Sequence, residues 1–439
     1  MFAMSLRVFK SAVRLASALA ITLLLTEAAP AENWPQWRGP VGDSTSREKN
    51  LPVSWSETSG VAWKVELPEW GTSTPAIWGD TIFVTTQIDD RLVLTKLNRA
   101  DGKQLWEREV GTSDTRRDAE KRSGQKFHLL HNNASPSPVT DGQVVIAHFG
   151  NGDLAAYDFA GQQLWKHNLQ KEFGEYSIWW GHANSPVLDG DLVINVCMQD
   201  SLEGVSDQRA PSYLVAYNKH TGKQVWKTMR TTPAEAEQCD SYTTPILYNT
   251  HGRIEMLVMG GNQIDAYDPT SGKQLWFLSG ITGGRTITGP AVGHDMVFVT
   301  QGMRGNLLAV RTGGQGEVDE KAVTWKHDSN TPDTCCPVLW GHLLFTVADN
   351  GIAMCLDAYT GHMHWKERVP GKYKASPVAA DGRVYFLSMS GMCTVVAASE
   401  RFEKLAENQI DDETTASPAI SDGRIYLRAR KHLYAIGKK

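Results

Sequence analysis

Residues 376–397 read SPVAADGRVYFLSMSGMCTVVA. A short apolar run follows Pro377, the Asp381-Gly382 pair reverses it, an alternating strand runs on from Arg383, Gly391 breaks that strand, and a third begins at Met392. Asp-Gly between alternating apolar runs is a strong short-range hairpin signal. The same opening, a Pro followed by a small or branched apolar residue, stands at Pro75, Pro138, Pro186, Pro245, Pro290, Pro337, Pro377 and Pro418. A second mark closes each unit, a Gly turn followed by Trp: DGKQLW ends at Trp106, AGQQLW at Trp165, TGKQVW at Trp226, SGKQLW at Trp276 and TGHMHW at Trp365. A looser copy ends at Trp325. ERFEKLA puts Leu405 and Ala406 where the aromatic should be, which predicts a looser contact there.

Four short antiparallel strands per unit, repeated along the chain, predict an all-β, eight-bladed β-propeller, because no such unit buries both faces alone. The last unit stops after its third strand, and the missing Gly-Trp strand stands near the N-terminus as SGVAWKVEL with Trp63. The eighth blade is therefore expected to combine residues 61–67 with 418–436, closing the ring and removing exposed sheet edges. On this reading residues 61–439 are one propeller and 32–60 an N-terminal extension.

Residues 1–31 read as a cleavable export signal, with Arg7, Lys10 and Arg14 ahead of an apolar run and Ala29-Pro30-Ala31 before Glu32. The apolar run is shorter than the roughly 20 residues of a membrane span. No Cys precedes Cys197, so a lipid-modified cysteine is not expected. The mature chain is expected to be periplasmic or secreted, monomeric and without a transmembrane segment. The full chain carries a net charge of −5 with 21% charged residues, and losing the leader makes it more acidic, which argues against a nucleic-acid partner. The chain has 15 Trp against 12 each of Phe and Tyr. Most of that surplus is accounted for by the repeat.

These repeats resemble the pyrroloquinoline-quinone-type (PQQ-like) propeller family, which includes quinoprotein alcohol dehydrogenases and the propeller lipoprotein of the outer-membrane β-barrel assembly machinery. The opening Trp34-Pro35-Gln36-Trp37-Arg38-Gly39-Pro40 is similar to exported proteins of that type from planctomycete-type bacteria. The resemblance implies that Trp63, Trp106, Trp165, Trp226, Trp276, Trp325 and Trp365 dock each blade onto its neighbour.

In such a blade the connections from strand four to the next strand one, and from strand two to three, share a face. The longest of them precede blades 2, 3 and 4, and the insertion from Gln199 to Pro211 falls on the same face. Long loops on a rigid scaffold are where binding residues concentrate. The residues expected at the channel mouth are His131, Asn133, Trp180, His182, Asn184, Tyr242, Arg285, Asp333, Cys335, Cys336 and Lys374. That mixture suits a small polar or anionic ligand, with Arg285 and Lys374 as charge partners and Trp180 as a stacking surface. No metal site is expected. Adjacent Cys335 and Cys336 read either as two thiols or as a strained bridge in a tight turn. The family implies a second reading, since quinoprotein dehydrogenases carry such a pair over their cofactor.

No nucleophile elbow, phosphate loop or zinc-protease motif occurs, and no Cys-x-x-Cys-His for haem. The catalytic residues, if any, are not identified. The function expected is a binding or scaffold module of the cell envelope, engaging an envelope protein or glycan through its long-loop face without a cofactor. The alternative is a PQQ-dependent oxidoreductase of alcohols or sugars, using PQQ with calcium. An assembly accessory like the β-barrel assembly propeller is a third reading, weakened by the missing anchor cysteine.

Overall fold

The computed structural model describes residues 31–115, 126–199 and 211–438. All but the last residue of the expected leader, and the body of the Gln199–Pro211 insertion, lie outside them. Ala31–Lys439 forms one compact unit, so the 32–60 extension packs with the blades.

The chain is an eight-bladed β-propeller of four-stranded antiparallel blades. Blade 1 runs outward through Ala76–Trp78, Thr81–Ile88, Arg91–Asn98 and Gln104–Thr112. Each later blade repeats that order. Blade 7, for example, comprises Val378–Ala380, Arg383–Leu387, Met392–Ala397 and Lys404–Gln409. Its first hairpin turns at Asp381 (φ 52°) and Gly382 (φ 71°), and two successive positive φ values match the twist of the flanking strands. Blade 8 takes its inner three strands from the C-terminus and its outer strand from Val61–Glu66, with Trp63 opposite Ala435. The inner strand of blade 1 touches those of blades 2 and 8.

The second strand of each blade is sandwiched between neighbours and is mostly apolar and buried along most of its length, as in Leu343–Val347. The fourth strand faces solvent, and its repeat Trp is the exception that turns inward. A register shift precedes Trp165, Trp226, Trp276, Trp325 and Trp365 alike, and the residue opposite is small: Ala156, Ala216, Ala266, Ala309 and Cys355. The indole N–H then donates to a carbonyl in the next blade's outer turn: Trp63 to Arg99 at 3.0 Å, Trp106 to Phe159 at 3.1 Å, Trp165 to Lys219 at 2.8 Å, Trp226 to Pro269 at 3.0 Å, Trp325 to Ala358 at 2.8 Å and Trp365 to Ser399 at 3.1 Å. The glycine of that turn is required by contact as well as by φ. A Cβ on Gly222 (φ 69°) would lie 2.6 Å from Trp165, and one on Gly361 (φ 71°) 2.7 Å from Trp325. The Gly-x-x-x-Trp spacing thus records two halves of one contact made by adjacent blades.

Trp276 is different. Blade 5 lacks the tight Gly turn, and its long outer connection adds Gly316–Glu317 as a parallel fifth strand on blade 4. Trp276 is buried there and donates instead to Glu255 Oε2 of its own blade at 3.1 Å.

Blade 7 corrects the expectation of a loose contact. Ala406 stands opposite Val395, at the register position where other blades place Trp opposite a small residue. The volume is filled from the other end of the chain. Trp55, 6% exposed, lies 6.5 Å from Tyr385 with the rings 26° apart. Tyr385 holds the register position of Phe345 and Phe298, the rings that Trp365 and Trp325 pack on in their own blades. Trp55 N–H donates to Asn408 Oδ1 at 2.8 Å, and Asn408 Nδ2 donates to the Val53 carbonyl at 2.9 Å.

Candidate functional site

The channel is closed on one face by the start of the extension. Trp34 exchanges backbone hydrogen bonds with Ile77 of blade 1, the Pro35 carbonyl accepts from Thr140 of blade 2, and the Ser44 carbonyl accepts from Ala379 of blade 7. Arg38, 2% exposed, is the anchor. Its guanidinium donates to the carbonyls of Pro290 (2.5 Å) and Pro337 (2.8 Å), at the starts of blades 5 and 6, and to Ser44 Oγ (2.9 Å). Trp37 is thereby presented to the channel interior.

Above this floor runs a belt of side chains from the residues that precede the repeat prolines. A pre-proline residue is held extended and its N–H lies outside the following ladder. Six of the eight such N–H groups find a side chain one blade on: Thr74 to Ser137 Oγ (2.9 Å), Ser137 to Ser185 Oγ (2.9 Å), Ser185 to Thr244 Oγ1 (3.0 Å), Gly289 to Cys336 Sγ (3.0 Å), Cys336 to Ser376 Oγ (2.9 Å) and Ser376 to Ser417 Oγ (3.0 Å). Thr74 Oγ1 donates to the Ser417 carbonyl at 3.3 Å and links the ends. The belt skips a step at Gly289, where a Cβ would sit 3.3 Å from the Trp37 ring. The signal was present in the sequence as the recurring Ser/Thr-Pro, and its meaning lay in contacts between blades.

Belt, floor and loops enclose a blind cavity of ≈ 500 Å³ open on the long-loop face. Of the eleven residues expected at the mouth, His131, Trp180, Tyr242, Arg285 and Lys374 line it. The sequence reading missed Trp37, Glu237, Met303 and the belt hydroxyls, which also line it. Arg285 Nη2 pairs with Asp333 at 3.3 Å, and Lys374 Nζ with Asp349 at 2.6 Å. Asp349 also accepts from Thr334 Oγ1 at 3.0 Å, so both cations face the cavity with their carboxylates behind them. Arg285 Nη1 is buried and makes no hydrogen bond. Trp180 N–H donates to the Tyr242 hydroxyl at 3.2 Å, and burial holds that phenol well above its ordinary pKa. His131 meets Ser135 Oγ at 3.0 Å and the Trp180 carbonyl at 2.6 Å, which fixes the loop carrying Trp180.

Asn133, His182, Asn184, Asp333, Cys335 and Cys336 do not line the cavity. They stand behind its wall. Asn133 Nδ2 donates to Gln87 and Asn184 Nδ2 to the Thr243 carbonyl at 2.6 Å. All six cysteines are free thiols and buried. Cys336 is the thiol member of the belt, and desolvation pushes the Cys335 thiol well above its ordinary pKa, which makes it a poor nucleophile.

His182 stacks on Tyr176 at 4.7 Å and meets His148 edge-on at 5.0 Å. Burial lowers the pKa of His148 to about 4 and that of His182 well below its ordinary value. The folded state therefore holds both rings neutral while the unfolded chain takes up protons below its own pKa of about 6.5. Stability is expected to be full above that pH and lost as pH falls from about 6.5 toward 4, by roughly 3 kcal/mol for His148 alone. Urea midpoints at pH 7 and pH 4.5 check this. His148→Gln with His182→Gln should flatten the wild-type slope, and an unchanged slope would refute the assignment.

Fold and site together define a class, the eight-bladed propeller with a plugged, hydroxyl-belted channel. The family model described as outer membrane protein assembly factor BamB matches residues 44–209, 205–330 and 315–403, and the chain belongs to that PQQ-like repeat family. BamB from Moraxella catarrhalis superposes with a TM-score of 0.57 at 13% identity, covering 85% of this chain and 95% of that one. Quinohemoprotein alcohol dehydrogenase from Comamonas testosteroni gives 0.66 at 13%, covering 93% and 81%. At such identities the likeness is one of fold. Tetrathionate hydrolase of Acidithiobacillus ferrooxidans is 30% identical over 146 residues, 31% of this chain and 27% of that protein. The chain thus matches about a quarter of that curated relative's length.

The residues present do not fit PQQ with calcium. Calcium takes six to eight oxygen ligands with carboxylates among them. Among the described residues Glu237 is the carboxylate in the cavity lining, while Asp333 and Asp349 are held in ion pairs behind it. The cysteine pair is unbridged and lies behind the wall.

Proposed function

We propose that this chain is an exported binding propeller of the cell envelope, which receives a polar or anionic group of an envelope protein or glycan in its blind channel. The observation that carries this reading is the cavity itself. It has one open face, a floor made by the chain's own Trp37, and two cations, Arg285 and Lys374, supplied by blades 5 and 7. Arg285 lines the cavity with its side chain 19% exposed, so its guanidinium can make a charge-assisted contact with an anionic group. Trp180 offers an aromatic face at the rim. The mechanism is recognition: the belt keeps eight blades in register, and the ion pairs hold each cation aimed inward before the ligand arrives. The name of the BamB family supports a role among envelope proteins, and the export signal read from residues 1–31 supports the compartment. Among the described residues no helix is long and apolar enough to cross a membrane.

Cross-linking of the mature chain in envelope extract tests the proposal. Wild type is expected to capture a defined partner, and Arg285→Gln with Lys374→Gln to reduce capture about tenfold or more, the loss of two charge-assisted contacts. Equal capture by both proteins would sink the channel as the binding site. The oxidoreductase alternative is checked on the same sample by adding PQQ and calcium and following dye reduction with alcohols or sugars, where no turnover is expected.

A further inference from the structure

On the face opposite the channel mouth, the turn between the first two strands of blade 6 carries His342, the outer strand of that blade carries His364, and the outer turn of blade 7 carries Glu400. One ring nitrogen from each histidine and a carboxylate oxygen of Glu400 all lie within 4.8 Å of one another. Among the described residues this is the one trio of potential metal ligands that meets that spacing. We propose that His342, His364 and Glu400 form a divalent transition-metal site that staples blade 6 to blade 7.

The donor set suits the chemistry. Two imidazoles and a carboxylate are ligands for zinc and its neighbours, and three protein ligands leave a position for water. His342 Nε2 and Glu400 Oε1 are 3.1 Å apart, about the separation of two donors on one tetrahedral ion, so little movement is needed. His364 Nε2 is buried and makes no hydrogen bond, a state that in a native structure calls for a water or an ion nearby.

The ligands are also held in place by groups behind them, which metal sites require. His294 of blade 5 donates from Nε2 to the carbonyl of Gly341, at 2.7 Å, and its Nδ1 accepts from the Tyr359 hydroxyl at 2.9 Å. One tautomer satisfies both bonds and braces the turn that carries His342. The Ala358 N–H donates to the His342 carbonyl at 2.8 Å. Glu400 follows Ser399, whose carbonyl accepts the Trp365 indole N–H at 3.1 Å. The site therefore straddles a blade-docking contact, and a bound ion would strengthen it.

Zinc chloride titrated into the untagged mature chain, followed by calorimetry and by thermal unfolding, tests this. One ion is expected to bind with a Kd in the micromolar range or tighter, and at about one hundred times Kd to raise Tm by about 3 °C. His342 is exposed, so His342→Ala should fold with the wild-type Tm in chelator and lose both the binding and the zinc-induced shift. Glu400→Gln should weaken binding about tenfold or more, losing the anionic ligand. Absence of saturable binding below 100 µM (about −5.5 kcal/mol) would overturn the proposal. So would binding unchanged in His342→Ala, which would place the ion on other histidines.

Discussion

Trp55→Ala is expected to cost about 3–5 kcal/mol, the range for removing a buried tryptophan from a core that cannot collapse into the gap. The gap is real because both neighbours are already set for an incoming ring. Ala406 is too small to reach it from the outer strand, and Tyr385 lies beneath. The backbone hydrogen bonds that tie Val53 and Trp55 to Asn408 survive the substitution, so the loss reports the ring itself. Denaturant midpoints measure the loss, with Leu405→Ala as the control. Leu405 is 37% exposed, and its removal should stay within about 0.5 kcal/mol. A Trp55→Ala cost below about 1 kcal/mol would refute the view that Trp55 stands in for the missing repeat tryptophan. The exchange can also be run in reverse. Ala406→Trp alone should destabilise by overpacking against Val395, while the same change with Val395→Ala and Trp55→Ala should recover much of the loss.

Arg38→Ala is expected to cost about 3–5 kcal/mol, since hydrogen bonds to a charged donor contribute about 1.5–3 kcal/mol each and two proline carbonyls would be left buried. Arg38→Lys should rescue little, because a single ammonium cannot reproduce the planar fork that spans Pro290, Pro337 and Ser44. The effect reaches the site. With the anchor gone, residues 34–46 are expected to exchange amide hydrogens faster by tenfold or more, and the channel loses Trp37 as its floor. Partner capture through Arg285 and Lys374 should fall in the same variant, although both side chains are untouched. Unchanged exchange across 34–46 would show that the backbone pairing with Ile77, Thr140 and Ala379 holds the plug without Arg38.

Much of the architecture was legible because it is written locally. Pro, Asp-Gly and Gly-Trp marks fall within single blades, and strand alternation needs only neighbours two residues away. The final strand's partner could be read as well, since a blade short of one strand and a lone Gly-Trp strand complement each other. The candidate site was legible in part. Arg285, Lys374, Trp180, Tyr242 and His131 reach the cavity, but in an extended connection alternate residues point to opposite sides, and sequence does not say which parity faces inward. His182 and Asn184 alternate with the lining residues Ala183 and Ser185 and became the wall, while Asn133 is turned away from the cavity by its hydrogen bonds to Gln87. Cys336 read as redox chemistry when considered with Cys335, and reads as a substitute hydroxyl when set beside Ser376 and Ser417.

The sequence by itself determined the number of blades, their strand order and the face with long loops, because each depends on spacing within some fifty residues of chain. Only the tertiary structure decided what the 32–60 extension is for. Trp55 and Asn408 are 353 residues apart in the chain, and Arg38 lies 252 and 299 residues from the carbonyls it binds. A segment without a repeat carries no periodic signal, so its place is set by the volume and the unpaired polar groups that the ring leaves for it. Here those were one empty tryptophan position in blade 7 and the open end of a channel.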